Sequence, residues 1–241
     1  MNWSQIFTSS VGKKLTMALS GIFLVAFLLV HAGLNACIWA NDGGVMFNVA
    51  AHFMGANAVP RILEIGLFVF FLLHIIQGLM LEVQNRSKRS IGYAVQLGNR
   101  GSKWYSRSMG ILGSIILIFL VVHITDFWIP SRFGGLETVY IDMATRQVVP
   151  EGTIGAKEFH DLYGRMVYKF TTYPWISIVY ILGVIALFWH LVHGIQSAFR
   201  TLGVTNHKYL RLLIVIGWTF AIIVCGAFIM MPISFIAGWI S

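Results

Sequence analysis

WISIVYILGVIALFWHLVHGIQSA, residues 175–198, carries no charged side chain and holds two histidines, His190 and His193. At about 1.5 Å of rise per residue, a helix of this length crosses the roughly 30 Å of a bilayer's hydrocarbon. Pro174 starts it and Arg200 follows it, so the span is expected over 174–199. Four further apolar runs predict spans at 15–40, 62–84, 107–129 and 209–236. The first is too long for a signal peptide and lacks a small-residue cleavage pattern after it. Charged side chains make up only 11% of the chain and mean hydropathy is +0.77. A soluble fold carries about 25% charged residues, so buried helices of a soluble protein do not account for this composition. The expectation is an all-α integral membrane protein, with five transmembrane helices in a single domain over 1–241.

The formal net charge of +8 does not point to nucleic acid, because the cations follow the spans. Lys13 and Lys14 precede the first. Arg86, Lys88, Arg89, Arg100, Lys103 and Arg107 crowd the link between the second and third, and Arg200, Lys208 and Arg211 flank the link between the fourth and fifth. Residues 41–60 have no Lys or Arg. By the positive-inside rule the N-terminus and both basic links are cytoplasmic and the C-terminus is outside. The outer link, 130–173, breaks the pattern in part with Arg132, Arg146, Lys157, Arg165 and Lys169. Cys37 and Cys225 fall in or beside spans without a CxxC pattern, and read as small apolar residues rather than metal ligands.

Between the spans, residues 1–10 suggest an interfacial turn. Asn41, Asp42, Gly43 and Gly44 have the chemistry to end the first helix, and residues 47–54 suggest a short surface helix. Pro60 suits the first turn of the second span, where its missing N–H costs little. The polar link 85–107 is long enough for a cytoplasmic docking surface. In the outer link, Phe159, Leu162, Met166 and Phe170 recur at helical spacing, so an amphipathic helix is expected over 155–170.

Four histidines lie inside four different spans: His31, His74, His123 and His190. A polar ring in hydrocarbon is costly and marks a functional candidate. His31 lies 17 residues beyond Lys14 and His123 lies 16 beyond Arg107, so both sit roughly 25 Å from the inner boundary. His190 lies 10 residues before Arg200 and His74 lies 12 before Arg86, so both sit nearer that boundary, at roughly 15–18 Å. Two cross-bundle pairs result, His31 with His123 and His74 with His190. Two opposed imidazoles can clamp a haem iron from both faces and leave no open position, which is an electron-carrying arrangement. Two haem b groups, an outer and an inner one, with four helices around them, are the expectation. Gly78 and Gly194 each follow a histidine by four residues, on the same helix face, and leave room for a macrocycle. His193 is a candidate partner of a haem propionate. Glu64 and Asp126, near the outer face, are candidates for proton transfer to or from a quinone; capping the end of the third span would also explain Asp126, and the positive N-terminus of the second would also explain Glu64.

These residues carry a resemblance. FNVAAHFM at 47–54 followed by Leu63, Glu64 and Ile65, Gly21-Ile22-Phe23 leading to His31, His74 with Gly78, Leu117-Ile118-Phe119 leading to His123, and His190 with Gly194 and Gly203 cover about four-fifths of the chain. The ordered set resembles the cytochrome b membrane anchor of succinate:quinone oxidoreductases and quinol:fumarate reductases, of the single-chain, five-helix, di-haem type. The resemblance selects His190, four residues before Gly194 and thirteen before Gly203, as the ligand on the fourth helix; His193 falls where some relatives have Asn. Some di-haem fumarate reductases carry Glu two residues before that ligand, where this chain has Phe188, so that proton route is in doubt.

The resemblance implies a fifth helix packed outside the haem-binding four. It implies cytoplasmic flavoprotein and iron–sulfur partners, a bacterial cytoplasmic membrane, and a role in succinate dehydrogenase passing electrons to a quinone, with menaquinone preferred. The dicarboxylate site would lie in a partner subunit. The outer link is longer than in the usual anchor, so quinone residues on loops do not transfer. The alternatives at this point are the same anchor in a fumarate reductase, a cytochrome b subunit of a hydrogenase or formate dehydrogenase, and a proton transporter built on membrane histidines. Oligomeric state is open.

Overall fold

The computed structural model describes residues 9–87 and 102–240. The interfacial turn expected over 1–10 and most of the polar link 85–107 lie outside the described residues. Helix α1 spans Ser10–Asn35, started by Ser9, whose Oγ accepts the Gly12 N–H at 3.0 Å. That is the usual use of a serine N-cap. A 3-10 turn, Ala36–Ala40, ends at Asn41 in the left-handed region, φ 54°. Helix α2 covers Val45–Ala56, somewhat longer than the expected surface helix, and its start is held by the Asp42 carboxylate accepting the Met46 N–H at 2.9 Å. Gly44 has φ +82°, and a Cβ there would meet the Tyr163 ring at 2.3 Å. Both the backbone angle and the close ring require glycine.

Helix α3 runs over Ala58–Ser87, with Pro60 in its first turn as expected. A short helix α4, Trp104–Arg107, precedes α5, Met109–His123. A π segment, Ile124–Trp128, then leads into α6, Ile129–Phe133. Helices α8, Pro174–Thr201, and α9, His207–Ile236, complete the spans. Between them Gly203, φ +93°, lets the Val204 N–H reach back to the Phe199 carbonyl at 3.1 Å, a closure that satisfies helix-end acceptors. Among the described residues, five helical stretches are long and apolar enough to cross a membrane: Ser10–Ala40, Ala58–Ser87, Met109–Phe133, Pro174–Thr201 and His207–Ile236.

Their outward faces are apolar. Leu63, Ile65, Val69, Leu72 and Ile76 on α3 are exposed, as are Leu212, Val215, Ile216, Ile222 and Ile223 on α9. Contiguous exposed apolar faces of this extent do not suit water. They suit a bilayer, and the chain is a multi-pass membrane protein.

The link after α6 differs from expectation. Strands β1, Thr138–Asp142, β2, Gln147–Val149, and β3, Ala156–His160, form an antiparallel sheet in the order β2-β1-β3. Helix α7 begins only at Leu162 and ends at Thr172, so residues 156–160 are strand rather than the first turns of an amphipathic helix. Tertiary pairing decides this: Val139 lies opposite Phe159 in the register, and Phe159 is buried with Ile141 and Val45. Asp161 then separates strand from helix, its Oδ1 accepting the Gly164 N–H at 2.8 Å.

By contact the chain forms two compact units. One holds the residues up to Leu28 with Ile65–Ile116 and Ile185–Cys225; the other holds Leu29–Glu64, Leu117–Val184 and the residues from Gly226. The second unit has a core of Ile38, Phe47, Tyr163, Met166, Phe170 and Tyr180 with Met231 and Phe235. Asn48 ties its surface elements together. The side chain is buried, accepts the Tyr163 N–H at 3.0 Å and donates to Asp161 Oδ1 at 2.9 Å. Asn48→Leu strips a buried N–H of its acceptor and is expected to cost about 1–3 kcal/mol. Faster hydrogen exchange at the Tyr163 amide, together with a lower thermal midpoint in detergent, checks it.

Candidate functional site

In the first unit, His74 of α3 and His190 of α8 face each other with ring centroids 6.0 Å apart and planes at 67°. The Nδ1–Cε1 edge of His74 lies along α1. Ser20 Oγ is 3.1 Å from His74 Nδ1, and a Cβ built on Gly21 would stand 3.5 Å from His74 Cε1. His190 Nδ1 is buried with no hydrogen-bond partner. The Gly194 Cβ position has nothing within 4 Å, and that of Gly78 meets only the Met17 methyl at 3.9 Å. His193 sits 6.4 Å, centroid to centroid, from the Tyr105 ring, which in turn stacks on Trp189 at 5.4 Å.

In the second unit, His31 of α1 and His123 of α5 face each other with centroids 5.8 Å apart and planes at 85°. The wall is aromatic: Phe119 stacks on His123 at 5.6 Å, with Phe127 at 5.7 Å and Tyr180 at 5.8 Å. Phe119 fits only because α8 has Gly183 opposite, where a Cβ would lie 2.5 Å from the ring. Asn35 Nδ2 donates to the His31 carbonyl at 2.8 Å and lies 3.4 Å from His31 Nδ1. His123 Nδ1 is buried without a hydrogen-bond partner.

The two expected pairs are thus the two pairs brought together. Edge-to-face packing of rings also occurs at such distances. Two imidazoles sharing one metal at about 2 Å each put their ring centres about 6 Å apart. The spacing of both pairs fits bis-histidine haem ligation. Among the described residues no group of three or more His, Cys, Asp or Glu side chains gathers.

The two candidate carboxylates are both in the second unit and both are engaged. Glu64 Oε1 accepts from Trp128 Nε1 at 2.6 Å and Arg132 Nε at 3.0 Å. Its Oε2 accepts from Arg132 Nη2 at 2.8 Å and Arg61 Nη1 at 3.3 Å. Asp126, in the π segment, is buried. Its Oδ1 pairs with Lys169 Nζ at 2.5 Å, its Oδ2 accepts from Tyr180 Oη at 3.2 Å, and its carbonyl accepts from Arg165 Nε at 3.2 Å. Neither side chain acts as a simple helix cap.

Lys169, Arg165, Arg132, Trp128 and Ser20 did not stand out as site residues in the sequence. The cations stood only as a partial break in the charge alternation; the i, i+4 spacing of Arg165 and Lys169 is the one signal that sets them on a common helix face. Ser20 offered a single hydroxyl in an apolar run beside Gly21.

Comparison of the chain with protein-family models, curated proteins and solved structures finds no match. The functional reading stands on the sequence and the geometry.

Lys169→Met would leave the Asp126 carboxylate buried without its counter-ion, and is expected to cost about 3 kcal/mol. Adding Asp126→Asn should recover a large part of that loss. A double-mutant cycle read by thermal unfolding measures the coupling; additive losses would show that the pair contributes nothing.

Proposed function

We propose that the chain is a di-haem b membrane anchor that carries electrons to or from a membrane quinone, most closely as the anchor of a succinate dehydrogenase. The observation that supports this best is the pair of cross-helix imidazole contacts, His74 with His190 at 6.0 Å and His31 with His123 at 5.8 Å, each inside apolar spans. When bound, a bis-histidine haem supplies one-electron transfer without an open ligand position. The protein's part is to hold each ring from a different helix, to keep the surroundings apolar with Phe119, Phe127 and Tyr180, and to leave space beside Gly78 and Gly194. His193 is proposed as a polar partner at the haem edge.

The remaining assignments rest on the family resemblance. They are a flavoprotein and an iron–sulfur subunit on the basic cytoplasmic side, a bacterial inner membrane with the N-terminus inside, and menaquinone as acceptor. The same parts run in reverse in a fumarate reductase. Glu64 and Asp126 are proposed as the groups nearest to quinone proton chemistry. The Arg132 fork on Glu64 is a rigid bidentate contact and fixes that carboxylate's position.

Purified full-length protein is expected to show reduced b-type bands at two haems per chain. His74→Ala and His31→Ala should each remove one of the two. A folded, colourless protein overturns the proposal. In membranes containing the whole complex, succinate should reduce the haem, and loss of that response with haem retained would remove the succinate dehydrogenase assignment. Glu64→Gln is expected to lower quinone turnover at least tenfold with both haem signals kept. Unchanged turnover takes Glu64 out of the mechanism.

A further inference from the structure

Ser20 is buried on α1, and its hydroxyl has three neighbours. Oγ lies 2.7 Å from the Thr16 carbonyl, 3.3 Å from the Met17 carbonyl and 3.1 Å from His74 Nδ1. A serine hydroxyl has one proton to give. Both carbonyls can only accept, and the Thr16 carbonyl is the nearer. The proton therefore points back along α1, as buried serines in helices commonly do. What remains toward His74 is a lone pair. The contact is made only if His74 Nδ1 carries the hydrogen and donates it.

The consequence falls on the other ring nitrogen. An imidazole with hydrogen on Nδ1 keeps its lone pair on Nε2, and the partner of one nitrogen sets the role of the other. We infer that Ser20 is a positioning residue for His74: it fixes the Nδ1–H form and the ring orientation, and so presents Nε2 as the ligating atom toward the His190 side. This rests on the proposed haem reading. It adds an asymmetry that reading does not contain. His190 and His123 have buried Nδ1 atoms with no hydrogen-bond partner, and His31 Nδ1 lies 3.4 Å from an amide nitrogen, Asn35 Nδ2. Of His74, His123 and His190, only His74 has a hydrogen-bond partner on Nδ1. A hydrogen-bond acceptor behind a ligating imidazole raises its basicity, which favours the oxidised metal. The His74–His190 site should therefore have the lower potential contributed by this hydrogen bond.

The test uses full-length protein with uniformly nitrogen-15-labelled histidine, reduced with dithionite, as wild type, Ser20→Ala and Ser20→Thr. His74→Ala assigns the His74 resonances and identifies which redox wave belongs to its site. Wild type is expected to show hydrogen on His74 Nδ1. Ser20→Ala should shift that resonance and raise the midpoint of the His74 wave while the other wave stays in place, and Ser20→Thr should restore both. Hydrogen on Nε2 in wild type, or a Ser20→Ala variant with both waves unmoved, overturns the inference. Protein with no haem at all overturns the parent reading instead, and the nitrogen-15 spectrum then still decides the role of Ser20.

Discussion

A neutral imidazole inside hydrocarbon has two ring nitrogens and no water to meet them. At His74 the Ser20 hydroxyl meets one of them, whereas Nδ1 of His123 and of His190 stays without a partner. Each ring is matched with another from a different helix, so α1 is tied to α5 and α3 to α8. The aromatic wall, with Gly183 opposite Phe119, packs around the His31–His123 pair. Helix α9 supplies apolar surface to this scheme, with Phe228 lying 5.6 Å from the His31 ring.

The second unit faces the same difficulty with charge. Asp126 is buried and Glu64 partly so; Lys169 and Tyr180 meet the Asp126 carboxylate, and Arg61, Trp128 and Arg132 meet that of Glu64. Arg132 comes from α6, while Arg165 and Lys169 come from α7. A buried pair of this kind is weak evidence for stability but strong evidence for a fixed geometry, because removing one partner strands the other. The length of the outer link thus has a physical use. The sheet β2-β1-β3 and the Asp161 cap set where α7 begins, and α7 carries the two basic side chains to Asp126.

Much of this was legible in the residues. The five spans follow from unbroken apolar runs bounded by charges, and the helix ends differ from expectation by only a few residues. The histidine partners came from counting along helices from basic boundaries, since rise per residue is nearly constant. The sheet was not legible. Phe159 stands three residues before Leu162 and continues the helical repeat by coincidence, while its burial against Ile141 and Val45 is a long-range fact. The partners of Asp126 and the role of Ser20 were hidden for the same reason: a hydroxyl among apolar residues, or a lysine in a polar link, has no periodicity that reveals what it will touch.

The π segment at Ile124–Trp128 inserts one residue's worth of backbone into an otherwise regular helix. The wider turn absorbs that residue locally, so the helix beyond it keeps its course. Pro130, four residues past Asp126, has no N–H to offer the Asp126 carbonyl, and Arg165 Nε meets that oxygen at 3.2 Å. A gap in the rod's own ladder thus becomes the point where the outer helix fastens to it.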